Sequence, residues 1–162
     1  MPAPCPGCGV RLPNAGGPTH RYIEASPGCW AAYGEVLARE YASPSHFAVH
    51  RLTVDAYAVQ HPGRPSPQSA QSVAVHLLSL YAVLERGMVP EAATRLIGRA
   101  VEAGPYPWLA PPASRGAVTV ADVVPAVSAE AHARAVRAWA EGAWGAWRDQ
   151  HRQVQAWAGA VL

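Results

Sequence analysis

Three Ser-Pro dipeptides, Ser26-Pro27, Ser43-Pro44 and Ser66-Pro67, constrain this chain more than any other feature. A Ser oxygen accepts one of the N–H groups that a helix leaves unpaired at its start, and Pro at the first helical position has no N–H to leave. Val89-Pro90-Glu91 opens a fourth segment with Pro and an early acid, and Ser128 precedes a fifth. The stops agree, since Pro62-Gly63, Gly87 and Gly104 each follow a periodic apolar stretch. The expectation is an all-α bundle of about five helices, over 27–41, 44–61, 67–86, 90–103 and 129–159, behind an irregular segment 1–25. Thr119, with Asp122 three residues on, resembles a capping box and marks the start of a further short helix. No alternating run is long enough to read as a strand.

Half of the 162 residues are hydrophobic and 15% are charged, enough apolar surface for one domain spanning 1–162 with a real core. All 13 basic residues are Arg, which excludes a phosphate-loop lysine, a Schiff-base lysine and a Ser–Lys dyad. Arg and acidic residues are interspersed at a net charge of +2, which speaks against a nucleic-acid partner. The chain opens without the charged and apolar regions of a signal peptide, and it lacks an uncharged apolar run of about 18 residues. A cytoplasmic protein with no membrane span and reduced thiols is expected.

Cys5-Pro6-Gly7-Cys8-Gly9 is the most specific local signal. Two thiolates on one tight turn suit a tetrahedral ion, and a structural zinc site takes four ligands. Cys29, in the first turn behind Ser26, is the third candidate, because a helix N-terminus favours a thiolate. His20 is the fourth candidate, completing a knuckle of Cys5, Cys8, His20 and Cys29 with zinc as its ion. Three inert cysteines, or a redox pair, are the alternatives; the βαβ setting of a redox pair is missing.

The segment from His46 to His61 carries the second signal. His46, His50, Val54, Tyr57 and His61 share one helical sector, and Val49, Leu52, Ala56 and Val59 cover much of the other side. A helix apolar on two sides belongs at the centre of a bundle, so its histidines face other helices. Arg51 and Asp55 form an i,i+4 pair expected to point away from them. His76 lies on the apolar face of the next helix, and His132 aligns with Val136 and Trp139 on the last. Buried imidazoles need hydrogen-bond partners or a metal. Because adjacent turns bring His46 and His50 together, they are the candidate pair for a second metal ion, completed by His76 or by His132. Glu35, Glu85 or Asp122 is the candidate for a carboxylate ligand. Alternatively His61 groups with His76 across the helix–helix turn; otherwise His61 is a separate core or capping residue, and Tyr57 is a neighbour of the site or plain core.

The stretches CPGCG, THRYIEASPGCWAAYGEVLARE, HRLTVDAYAVQHPG and HLLSLYAVLERG together resemble an uncharacterised family of small bacterial proteins, a domain of unknown function. The resemblance spans roughly residues 5–87 and implies no reaction or catalytic residue. Two functions remain. One is a zinc-stapled helical metalloprotein whose histidine-lined site activates water or acts as a Lewis acid. The other is a non-enzymatic interaction protein that binds a partner, or a second copy as a homodimer, through the helix carrying Trp139, Trp144, Trp147 and Trp157. No nucleophile elbow, dinucleotide fingerprint or His-Glu-x-x-His is present.

Overall fold

Each Ser-Pro signal starts a helix. The computed structural model describes residues 2–14 and 16–162, and every regular element among them is helical. Eight α-helices run in the order α1 (Pro27–Ala42), α2 (Pro44–Phe47), α3 (His50–Gln60), α4 (Pro67–Leu84), α5 (Pro90–Glu102), α6 (Val120–Val123), α7 (Ala129–Ala146) and α8 (His151–Val161). Ser26 and Ser66 accept from the backbone N–H groups of Cys29 and Ser69, and Ser128 from that of Ala131. Thr119 and Asp122 close the expected capping box on α6.

The count exceeds the expected five because two long segments break and the short helix α6 adds one more. Between α2 and α3, Val49 turns to φ −104°, ψ 7°. The turn lets His46 donate from Nε2 to the Val127 carbonyl at 2.8 Å and sets His50 2.9 Å from Glu40. The final segment breaks at Trp147, at φ −90°, ψ 18°, and a 3-10 turn over Arg148–Gln150 follows. Neither break contains Pro or Gly. The second is anchored by the buried Trp147 indole, which donates to the Val59 carbonyl at 3.0 Å.

α3 is the central helix, packed between α4 and α7, with α5 and α8 laid against α4. Leu52, Ala56 and Val59 are wholly buried on it, as the two-sided apolar pattern requires. The Arg51–Asp55 pair forms at 2.9 Å but faces inward, contrary to expectation. Asp55 is wholly buried because α4 brings His76 and Ser79 to its carboxylate. At the end of α3, buried Gln60 accepts the Trp139 indole N–H at 2.7 Å and donates to the carbonyls of Arg115 and Val118. That amide ties the strap between α5 and α6 to the centre of the bundle. Among the described residues no helix is long and apolar enough to cross a membrane.

Candidate metal centre

The first turn is closed by two backbone bonds, Cys5 N–H to Val10 O at 2.8 Å and Gly9 N–H to Cys5 O at 2.9 Å, with Gly9 at φ +79°. This turn aims Cys5 and Cys8 toward the start of α1. There Cys29 stands three residues past its cap, Ser26, whose Oγ accepts the Cys29 N–H at 3.2 Å. The turn also packs onto the end of α3. A Cβ at Gly7 would overlap the His61 ring and approach Gln60 O at 2.8 Å, so only glycine admits that ring so close.

The structure gathers Cys5, Cys8, Cys29 and His61, one ligand atom each, all within 4.8 Å of one another. The Cys8 and Cys29 sulfurs are 3.7 Å apart, and Cys29 Sγ lies 3.4 Å from His61 Nε2. Zinc–sulfur and zinc–nitrogen bonds in a regular tetrahedron predict S···S and S···N edges of about 3.8 Å and about 3.6 Å. A disulfide needs about 2.05 Å, so these are three free thiols around a common centre.

The surroundings fit as well as the ligands do. His61 donates from Nδ1 to the Tyr57 carbonyl at 2.7 Å, which fixes the tautomer and turns the Nε2 lone pair toward the sulfurs. The Tyr57 ring stacks on His61 at 4.0 Å, and its hydroxyl sits 3.5 Å from Cys29 Sγ. The Ser26 N–H points at Cys5 Sγ from 3.4 Å. Arg115 donates from Nη1 to the carbonyls of Pro6 and Gly7, placing a cation beside the thiols. Burial pulls the Arg115 pKa down, while Cys5 and Cys8 draw it back up.

The three thiols cannot all ionise without a cation. Hydrogen bonds from Cys29 and Cys8 hold the Cys5 thiol far below its ordinary pKa. The Cys29 hydrogen bond lowers Cys8 too, but its bond to Cys5 and burial outweigh this and push it up to about 11. Hydrogen bonds to Cys5 and Cys8 raise Cys29 far above the ordinary thiol range. Burial raises Tyr57 likewise, so its hydroxyl stays protonated.

His20 lies outside this cluster, and His61 stands in the position proposed for it. His20 Nδ1 accepts from the backbone N–H groups of Tyr22 and Ile23, and its ring packs edge-on against Tyr22 and Trp30. His61 just follows the last residue of α3, so its ring escapes the helical register and swings toward the knuckle. The signal available in the sequence was the pair of glycines around it. Gly7 admits the ring, and Gly63, at φ +73° before the approaching Tyr22 carbonyl, lets the chain turn away behind it.

The histidines from His46 to His132 outside this centre are bonded elsewhere. His50 donates from Nδ1 to Glu40 Oε1 at 2.9 Å, and His132 from Nε2 to Glu40 Oε2 at 2.8 Å. Thr53 adds a 2.5 Å bond to the same wholly buried carboxylate. His76 donates from Nδ1 to Asp55 at 2.8 Å. His46 is spent on Val127 O, although its buried Nδ1 has no partner. Thus His46, His50 and His76, with or without His132, do not form a group able to hold an ion among the described residues. His50 and His132 share Glu40, while His46 and His76 are drawn to Val127 O and Asp55. The candidate carboxylates are dispersed too. Glu35 is exposed, Glu85 accepts from Trp144, and Asp122 caps α6.

No curated protein and no solved structure matches the chain. The model of a family of unknown function, DUF5946, matches residues 3–148, nearly the whole knuckle-and-helix arrangement described above. The chain belongs to that family.

Proposed function

We propose that Cys5, Cys8, Cys29 and His61 hold one structural zinc ion that staples the N-terminal segment to α1 and α3. The observation that carries this is the spacing of the donor atoms, 3.7 Å for sulfur to sulfur and 3.4 Å for sulfur to nitrogen, near the edges of a zinc tetrahedron. Thiolate and imidazole donors are the set that zinc prefers. Four protein ligands leave no open position for water or substrate, which separates a staple from a catalytic zinc. Cys29 and His61 are almost wholly buried, in keeping with a closed centre. Water activation at a histidine-lined second ion is not favoured, since those histidines are committed elsewhere.

The protein then works as a single zinc-stapled domain in a reducing compartment, where three free thiols persist. The test is elemental analysis of the purified protein. One zinc per chain in the wild type, and none in Cys5→Ser, His61→Ala or Cys29→Ser, is expected. Zinc retained at full occupancy in His61→Ala, or lost in His20→Ala, overturns the ligand set.

A further inference from the structure

Outside the metal centre, one groove combines unspent polar groups with exposed rings. It lies between the starts of α3 and α5, has a volume of about 430 Å³, and is lined by Phe47, Ala48, His50, Arg51, Pro90, Glu91 and Thr94. Its charge is readable residue by residue. Arg51 is neutralised by Asp55, to which its Nη2 lies at 2.9 Å. His50 is backed by the buried carboxylate of Glu40. Glu91, exposed on α5, makes no ion pair among the described residues, so the charge left over in the groove is negative.

The rings form a platform beside that charge. His50 stacks on Phe47 with centroids 4.5 Å apart and planes 14° from parallel, and Tyr41 packs 5.5 Å from Phe47 and 5.0 Å from His50. Tyr41 is 69% and Phe47 38% exposed, so aromatic faces are offered to solvent here. His50 Nδ1 is bonded to Glu40, and its Nε2 lies 3.3 Å from the exposed Tyr41 hydroxyl.

We infer that this groove binds a primary organic ammonium ion. The ammonium finds a π face at Phe47 and a carboxylate at Glu91, with the His50 ring stacked behind Phe47, while its alkyl body lies along Pro90 and Ala48. An organic anion meets the opposite: Glu91 repels it, and Arg51 is already paired. The site is independent of the metal centre, so it is tested on the zinc-loaded protein, and its failure leaves the zinc reading untouched.

The probe is n-butylammonium chloride, titrated while the imidazole resonances of His50 are followed by NMR, with sodium butyrate as the control at equal ionic strength. Saturable shifts at His50 are expected with n-butylammonium, and none with butyrate. Glu91→Gln, an exposed change, is expected to weaken binding about tenfold. Phe47→Ala, also exposed, is expected to weaken it about threefold. The inference is overturned if butyrate binds as well as n-butylammonium. It is equally overturned if n-butylammonium produces no saturable shift up to high concentration, or if Glu91→Gln binds as the wild type does.

Discussion

His61 Nε2 lies 3.4 Å from Cys29 Sγ, although the two residues are 32 positions apart, one just past the end of α3 and the other in the first turn of α1. The contact joins the end of the central helix to the start of α1, and the Cys5–Cys8 turn closes over both. An ion there ties three separate segments at one point, so its binding energy is also folding energy for the irregular N-terminus.

Removing the ion therefore loosens the N-terminal segment more than the bundle. Chelation of the wild type, or Cys8→Ser, is expected to speed hydrogen exchange and proteolysis over residues 2–14 and 16–25, while α3, α4 and α7 keep their protection. Exchange measured by mass spectrometry with and without chelator checks this. Uniform deprotection of all helices would show that the ion supports the whole fold instead.

Metal affinity is expected to rise with pH. In the metal-free state the Cys8 and Cys29 pKa values are raised and that of Cys5 is lowered. Near neutral pH, binding must then displace about two thiol protons, from Cys8 and Cys29. Apparent affinity should climb about 100-fold per pH unit through neutrality and only about tenfold per unit once pH passes the raised Cys8 value, since Cys29 still holds its proton. The metal-linked part of the stability falls correspondingly as pH drops. Calorimetry of zinc binding in buffers of differing ionisation enthalpy counts the protons directly.

Gly7→Ala adds one methyl group where the His61 ring and Gln60 O already stand. The expected cost is about 1–3 kcal/mol in the metal-loaded protein, together with weaker zinc retention. Gly34→Ala, where nothing lies near an added Cβ, is the control, and it should leave zinc retention unchanged. Denaturant unfolding and competition with a metal-sensing dye measure the two effects.

Glu40 is wholly buried beneath three donors from α3 and α7. Glu40→Ala strands Thr53, His50 and His132 at once, and a loss of about 3–5 kcal/mol is expected, with zinc content unchanged. Asp55→Ala removes the acceptor shared by Arg51, His76 and Ser79 and should cost a similar amount. If either variant loses zinc while still folded, the histidine networks and the metal centre are coupled more closely than their separate partners imply.

Helix starts were legible in the sequence because they depend on neighbours. Ser oxygen, Pro ring and first-turn N–H groups lie within a few residues of each other, and α1, α4 and α7 begin where those residues demand. The same holds for the Cys5–Cys8 turn and for the thiol at the start of α1. The breaks at Val49 and Trp147 were not legible. Nothing local forbids a helix there, and what stands beside each break is a partner from elsewhere in the chain, Val127 O for His46 and Val59 O for the Trp147 indole.

The fourth ligand divides along the same line. Spacing alone made His20 as good a candidate as any, because a chain of that length can bring it back to Cys5 and Cys8. His20 Nδ1 is bonded within its own turn, and the packing of α3 against α1 brings His61 beside Cys29. Likewise, periodicity put His46, His50 and His76 on inner faces, but it could not say that each would meet a different acceptor. Local rules fix which residues can ligate and which face they occupy. The choice of partner is made by helices meeting across the core, where a buried carboxylate or carbonyl claims the nearest imidazole before any ion can gather them.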